Sequence, residues 1–508
     1  MIERTLMAAA AVLVLASCAK QTAQAPAETA EASPAETADT SATAASDKAA
    51  ADMIVRPPLD PYPSTYTPYP STTTLIEGAT ILTGTGARIE NGSVLLEDGK
   101  IAAVGAADEV TAPEGATRID ASGKFVTPGV IDIHSHLGVY PSPGTDSTSD
   151  GNEATNPNTA QVWAEHSVWP QDAGFTRALA GGVTTLQILP GSANLFGGRS
   201  VILKNVPSRT VQGMKFPGAR YGLKMACGEN PKRVYGKKGG PSTRMGNFAG
   251  YRAAWIDAAA YKKKWDDYYK AAEKYAAGGD KSDKDKKAPE PPARDLKLET
   301  LAGALNGDIT VNMHCYRADE MVQVIDMAKE FGYKVASFHH GVEAYKIADI
   351  LAQNGICAAV WADWWGFKLE AYDSVRENAA LVDAQPGGCA IIHSDSEVGI
   401  QRLNQEAAKA MADGNHMGLN IPDERAIEWI TANPAKAMGI LDKTGTLEQG
   451  KMGDVVVWSG DPFSVYTHAE KVFIDGALMY DRLDKKRSPR VDFEVGQPMN
   501  DFTGGAGQ

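Results

Sequence analysis

Short apolar runs that each end in histidine constrain this chain more than any other feature. The run Val130–His136 alternates and is rich in β-branched residues, so it reads as a strand with His134 and His136 at its end. Residues two apart on a strand share a face. The two imidazoles are therefore held side by side, as a divalent metal needs. Ile309–His314 and Lys334–His340 repeat the pattern, the second ending in His339 and His340. The run Cys389–Asp395 carries His393 and Asp395. Six of the nine histidines thus fall at strand ends, and helix-like segments separate the runs. Strands alternating with helices predict a parallel α/β barrel. The C-terminal ends of barrel strands are where such folds carry their chemistry. Any one of these histidines is equally at home in a structural hydrogen bond; the set is not.

Eight strands are expected in a barrel spanning 125–441: Val130–His136, Thr184–Leu189, Ser200–Lys204, Tyr221–Ala226, Ile309–His314, Lys334–His340, Cys357–Ala362 and Ala390–Asp395. An insertion at 251–294 separates the fourth from the fifth. Its first half sets Trp255, Tyr261, Trp265, Tyr268 and Tyr269 among Lys and Ala, which predicts a helix. Its second half is charged and Pro-rich. Leaving the catalytic end of strand four, it is either a lid or a surface decoration. Segments 74–124 and 442–482 are β-rich, with turn signals at Asn91-Gly92 and Asp98-Gly99.

The chain begins with Arg4, an apolar segment Leu6–Ala16 too short to span a bilayer, and Leu15-Ala-Ser-Cys18. This matches a bacterial lipoprotein box, which predicts a signal peptide at 1–17 and lipidation of Cys18. Ala19, rather than Asp, favours the outer membrane under enteric sorting rules, with the chain facing the periplasm. Membrane contact is then expected through the lipid alone. Residues 18–73 read as a disordered tether followed by an extended Pro/Tyr/Thr-rich lead-in, and 483–508 as a tail. The net charge of −13 argues against a nucleic-acid partner.

Several motifs together resemble the amidohydrolase superfamily, metal-dependent hydrolases on a (β/α)8 barrel. They are Pro128-Gly-Val-Ile-Asp-Ile-His-Ser-His136, Gly181-Gly-Val-Thr-Thr185, Gly222-Leu-Lys-Met-Ala-Cys-Gly-Glu-Asn-Pro231, His314, His340-Gly341, His393-Ser-Asp-Ser396, Asn433-Pro-Ala-Lys436 and the stretch Gly445–Val457. The likeness runs from Thr74 to Arg482 and is nearest the imidazolonepropionase-like and dipeptidase-like branch. It implies an α/β fold, a TIM-type barrel with a small β-sandwich built from both ends of the folded chain.

The resemblance also implies a ligand set. His134, His136 and Asp395 would hold one divalent metal, and His314 and His340 a second. The expected pair is two Zn2+ bridged by a carboxylated lysine on strand four. Lys224 matches that position, and Glu229 is the rival. His340 precedes a glycine, as the family pattern requires, which sets it before His339. His393 is expected behind Asp395.

The expected reaction is attack of metal-bound hydroxide on a C–N amide bond of a small molecule, with Asp395 as acid and base. The substrate would be a dipeptide, an N-acyl amino acid or a cyclic amide. Arg317, Tyr316 and Asn194 are candidate substrate contacts by position. The alternatives are a mononuclear imidazolonepropionase- or deaminase-like enzyme and a non-catalytic ligand-binding lipoprotein. Beyond Cys18, four cysteines remain: Cys227, Cys315, Cys357 and Cys389. Buried cysteines commonly stay reduced, so free thiols are the expectation, with Cys357–Cys389 the better-placed pair.

Overall fold

The computed structural model describes residues 54–142, 144–277, 287–484 and 486–487. The signal segment, Cys18, the tether up to Met53, residues 278–286 of the insertion and the tail beyond Arg487 lie outside the described residues.

The folded chain opens with five strands: β1 (Thr74–Leu82), β2 (Arg88–Glu97), β3 (Lys100–Ala106), β4 (Thr117–Asp120) and β5 (Phe125–Pro128). The β2–β3 hairpin turns at Asp98-Gly99 with both residues at positive φ, 49° and 78°. That is the backbone a tight hairpin needs, and glycine supplies half of it without strain. Eight strands follow: β6 (Val130–Ser135), β7 (Val183–Ile188), β8 (Phe196–Lys204), β9 (Gly222–Ala226), β10 (Thr310–Cys315), β11 (Val335–His340), β12 (Cys357–Val360) and β13 (Ala390–Ile392). They pair in chain order in one eight-stranded sheet. Between the two edge strands, the Asp395 amide donates to the His134 carbonyl at 3.0 Å, so the sheet curls into a nearly closed barrel. The last strands are β14 (Val455–Trp458), β15 (Ala469–Ile474) and β16 (Ala477–Asp481).

Each of the eight strands expected from the sequence is present. One runs the wrong way for a purely parallel barrel: β8 is antiparallel to both β7 and β9. The cause is the length of the connection. A parallel crossover needs a dozen or more residues, usually with a helix. Only residues 189–195 separate β7 from β8, and so short a link closes a hairpin.

Both ends of the folded chain meet, in one hydrogen-bonded sheet ordered β16-β15-β14-β5-β1-β2-β3, with β4 also on β1. Ile76, Ile81, Val94, Leu96, Val126, Val455, Val457 and Phe473 build its own apolar core. A buried ion cluster ties this sheet to the barrel. Lys204 on β8, fully buried, reaches Asp475 at 2.7 Å and Asp454 at 3.3 Å. Tyr66 of the lead-in donates to Asp475 at 2.5 Å. The lead-in lies along the folded body, with Ser64 donating to the Lys215 carbonyl and Tyr69 to that of Pro207.

The first half of the insertion is helical, within Arg244–Ala276. Tyr261, Trp265, Tyr268 and Ala272 pack with Ala302 of the helix Leu296–Asn306. The start of the same helix, with Tyr251, Ala254, Trp255 and Ala258, is buried in the main core, so the described part of the insertion is anchored in the folded body.

The free-thiol expectation is overturned. Cys227–Cys315 and Cys357–Cys389 are disulfides, with Cα–Cα distances of 5.2 Å and 4.6 Å. Register explains both. Ala226 pairs with His314, and Ala358 with Ala390, so each cysteine faces its partner directly across neighbouring strands. Denatured, unreduced mature protein is expected to show no free thiol among these four. Titration of four thiols would contradict both bridges.

Candidate metal centre

The barrel brings its histidines to one end. β6 carries His134 and ends one residue before His136, β10 carries His314, β11 ends in His339 and His340, and the chain leaving β13 supplies His393 and Asp395. His134 Nε2 and His136 Nε2 lie 3.3 Å apart. Asp395 Oδ1 is 3.2 Å from His136 Nε2 and 3.5 Å from His134 Nε2. A tetrahedral zinc with bonds of roughly 2.0–2.1 Å sets its ligands about 3.3 Å apart. The three donor atoms therefore already stand as one face of such a site.

Lys224, on β9, points into this cluster. Its Nζ lies 3.3 Å from His134 Nε2, and it forms no ion pair among the described residues. Burial pushes its ammonium down to about 7. The rival Glu229 instead opens the helix Glu229–Tyr235 and stands 3.7 Å from Lys368. The rings of His314 and His340 are 4.5 Å apart. The Nδ1 atoms of both are buried without a hydrogen-bond partner. Burial, and then nearby positive charge, holds His134, His314, His339 and His340 well below the usual imidazole range. Neutral imidazoles with free lone pairs fit a divalent cation.

The two adjacent histidines of β11 divide as neighbours on a strand must. His340 joins the cluster. His339 lies behind it, its Nδ1 2.8 Å from His134 Nδ1 and its Nε2 3.2 Å from Asn312 Oδ1. With the Asn312 oxygen as acceptor, His339 donates from Nε2 and accepts at Nδ1. His134 then donates from Nδ1 and keeps the Nε2 lone pair free. His136 is fixed likewise, its Nδ1 donating to the Leu189 carbonyl at 2.9 Å. Such outer partners orient metal-ligating histidines.

Two groups carry more than the sequence reading gave them. His393 lies with His134 and His340 in a group whose ligand atoms fall within 4.8 Å of one another. Both of its ring nitrogens lack a partner. Asp132, two residues before His134, is fully buried and accepts from the Ser394 hydroxyl, the Ser394 amide and the His134 amide. Burial pushes its carboxyl up to about 7, against those bonds. It pins the Ser394–Asp395 turn onto β6. An acidic residue inside an otherwise apolar strand was the available signal.

Backbone strain marks the same place. Among described non-glycine residues six have positive φ, and four of these are Asn or Asp outside the site. The others are His340 at 73° and Asp395 at 49°. Such strain persists where the surroundings over-determine it, and it gathers at functional sites.

The candidate substrate contacts fare unevenly. Tyr316 stacks on His340 with ring centroids 5.4 Å apart. Arg317 is instead half exposed and pairs with Asp319 at 3.1 Å, a short-range surface ion pair. Asn194 is buried, its amide nitrogen 2.8 Å from the Glu153 and Asn156 carbonyls and from the Tyr235 hydroxyl, which ties it to a loop, while its side-chain oxygen has no partner among the described residues.

Residues 125–479 match the amidohydrolase family. The chain belongs to this family of hydrolases acting on carbon–nitrogen bonds, whose members generally use divalent metals. It is 34% identical over 409 residues, 77% of its length, to the amidohydrolase tasK of Hapsidospora irregularis, and spans 40% of that protein. An imidazolonepropionase of Rhizobium rhizogenes is 23% identical over 412 residues, covering 74% of this chain and 88% of the relative. The crystal structure of an amidohydrolase from Thermotoga maritima MSB8 superposes with a TM-score of 0.70 at 36% identity, over 80% of this chain and all of that one.

Proposed function

We propose that this protein hydrolyses a C–N amide bond in a dipeptide, an N-acyl amino acid or a cyclic amide. The observation that carries the reading is the donor face of His134 Nε2, His136 Nε2 and Asp395 Oδ1, spaced 3.2–3.5 Å apart beside the buried Lys224 amine. His134, His136 and Asp395 would hold one cation, His314 and His340 a second, and carboxylated Lys224 both; zinc suits these donors. When bound, two cations supply a water acidic enough to attack near neutral pH and polarise the scissile carbonyl.

The chain's own groups do the rest. Burial would raise the Asp395 carboxyl, but its close contact with His136 and the positive charge of Lys224 hold it below the usual carboxylate range. It is therefore ionised and ready to take a proton from the attacking water, then return it to the leaving nitrogen. His314 and His340, neutral and buried, help to orient the carbonyl and its developing negative charge.

A second reading, one cation held by His134, His340 and His393, is favoured by the unpartnered nitrogens of His393. It is one form of the mononuclear, imidazolonepropionase- or deaminase-like alternative. Elemental analysis separates them: about two metals per chain supports the bridged site, and one supports the alternative. A screen of dipeptides, N-acyl amino acids and cyclic ureides tests the reaction itself. Turnover of none, with metal bound, would reject it.

We further propose that Cys18 anchors the enzyme in the cell envelope, facing the periplasm. The support is the Leu15-Ala-Ser-Cys18 box followed by a polar tract. Detergent phase partitioning of cell fractions checks it, and recovery of the whole population in the aqueous phase would refute it.

A further inference from the structure

The connection leaving β12 reads Trp361-Ala-Asp-Trp-Trp-Gly-Phe-Lys-Leu-Glu-Ala-Tyr372 and holds three of the chain's nine tryptophans. Such residues normally go inside, and here they form a gradient outward from the metal cluster. Trp361 stacks on His340 with centroids 4.3 Å apart, and Trp364 on Trp361 at 5.3 Å. Phe367 stands edge-on to Trp361 at 5.8 Å and to Tyr316 at 6.4 Å. Exposure climbs along the series, from 7% at Trp361 to 39% at Trp364 and 57% at Phe367. The Trp361 indole N–H is buried and has no acceptor. Lys368 lies 3.9 Å over the Tyr316 ring, but Glu229 and Glu370, each 3.7 Å away, balance its charge. The flank of the series therefore offers flat apolar surface rather than a free cation.

We propose that Trp361, Trp364 and Phe367 form the substrate-specificity wall of this site and select amides carrying an aromatic side chain beside the scissile bond. The inference rests on the amide-hydrolase reading above. Continuity decides the occupant. The ring series starts in contact with His340, so whatever covers Trp364 lies next to the reacting bond. Aromatic rings gain from offset-stacked and edge-on contacts as well as from burial.

The test uses the zinc-reconstituted full chain and pairs of substrates that differ only in one side chain: Gly-Phe against Gly-Ala, Phe-Gly against Ala-Gly, and N-acetyl-Phe against N-acetyl-Ala. One pair or more should favour phenylalanine by about tenfold in kcat/KM, the scale on which apolar pockets discriminate. Trp364→Ala and Phe367→Ala, at exposed positions the fold tolerates, should bring that ratio toward one. Calorimetry supplies a reading free of turnover: both variants should bind 3-phenylpropionate several-fold more weakly relative to propionate than the native chain does. Equal rates within every pair, with equal affinity for the two acids, would overturn the wall and leave the hydrolase reading standing. An aromatic preference that survives in both variants would overturn its assignment to these residues. If neither these pairs nor the cyclic ureides are turned over with metal bound, the hydrolase reading falls, and the 3-phenylpropionate titration still decides the wall.

Discussion

Asp395→Asn is expected to lower kcat by roughly 10²-fold or more, the typical contribution of a positioned acid–base group, while the metal content stays near native. The geometry separates the two roles. Oδ1 stands against His134 and His136, whereas Oδ2 lies 3.8 Å from His340 Nδ1. An amide oxygen can keep the first position, but an amide cannot cycle a proton at the second. The Ser394–Asp395 turn, held by Asp132, is unaffected by the change. Elemental analysis beside steady-state kinetics reads both effects on one preparation. Near-native turnover would move the proton-transfer role elsewhere.

Lys224→Ala is expected to lose most of the bound metal and with it all measurable turnover. The amine lies 3.3 Å from His134 Nε2, and among the described residues it has no carboxylate within ion-pair distance to make it structural. Carboxylation joins the neutral amine to carbon dioxide and releases a proton, so the free-base fraction sets the rate. Burial places that titration near 7. The neutral fraction therefore grows as pH rises through 7. At fixed dissolved carbon dioxide, reconstitution of metal-free native protein should run several-fold faster at pH 8 than at pH 6. A variant with full metal and activity, or reconstitution indifferent to carbon dioxide, would reject the bridge.

The strands and their order were legible because each is an apolar run closed by a chemically distinctive residue. The direction of β8 was equally within reach, since seven residues between β7 and β8 leave no room for a crossover, but alternation of strands suggested uniform direction. His134, His136, His340 and Asp395 could be placed at strand ends from the runs alone, and the family resemblance grouped them as ligands. What lies behind them could not. The contact of His339 with His134 depends on the barrel's curvature, and the contacts of the Asn194 amide with Glu153 and Asn156 on where that loop folds back. The disulfides depended on register, which a sequence reading of strand boundaries does not fix to within one residue.

The joining of both chain ends in one sheet sets an order of events during synthesis. β5 pairs with β1 on one edge and with β14 on the other. Its second edge has no partner until Val455–Trp458 has been made, by which point the entire barrel sequence precedes it. An unpaired strand edge is a template for unwanted pairing, and contacts this far apart in sequence form slowly. The chain therefore reaches completion only when almost all of it has left the ribosome.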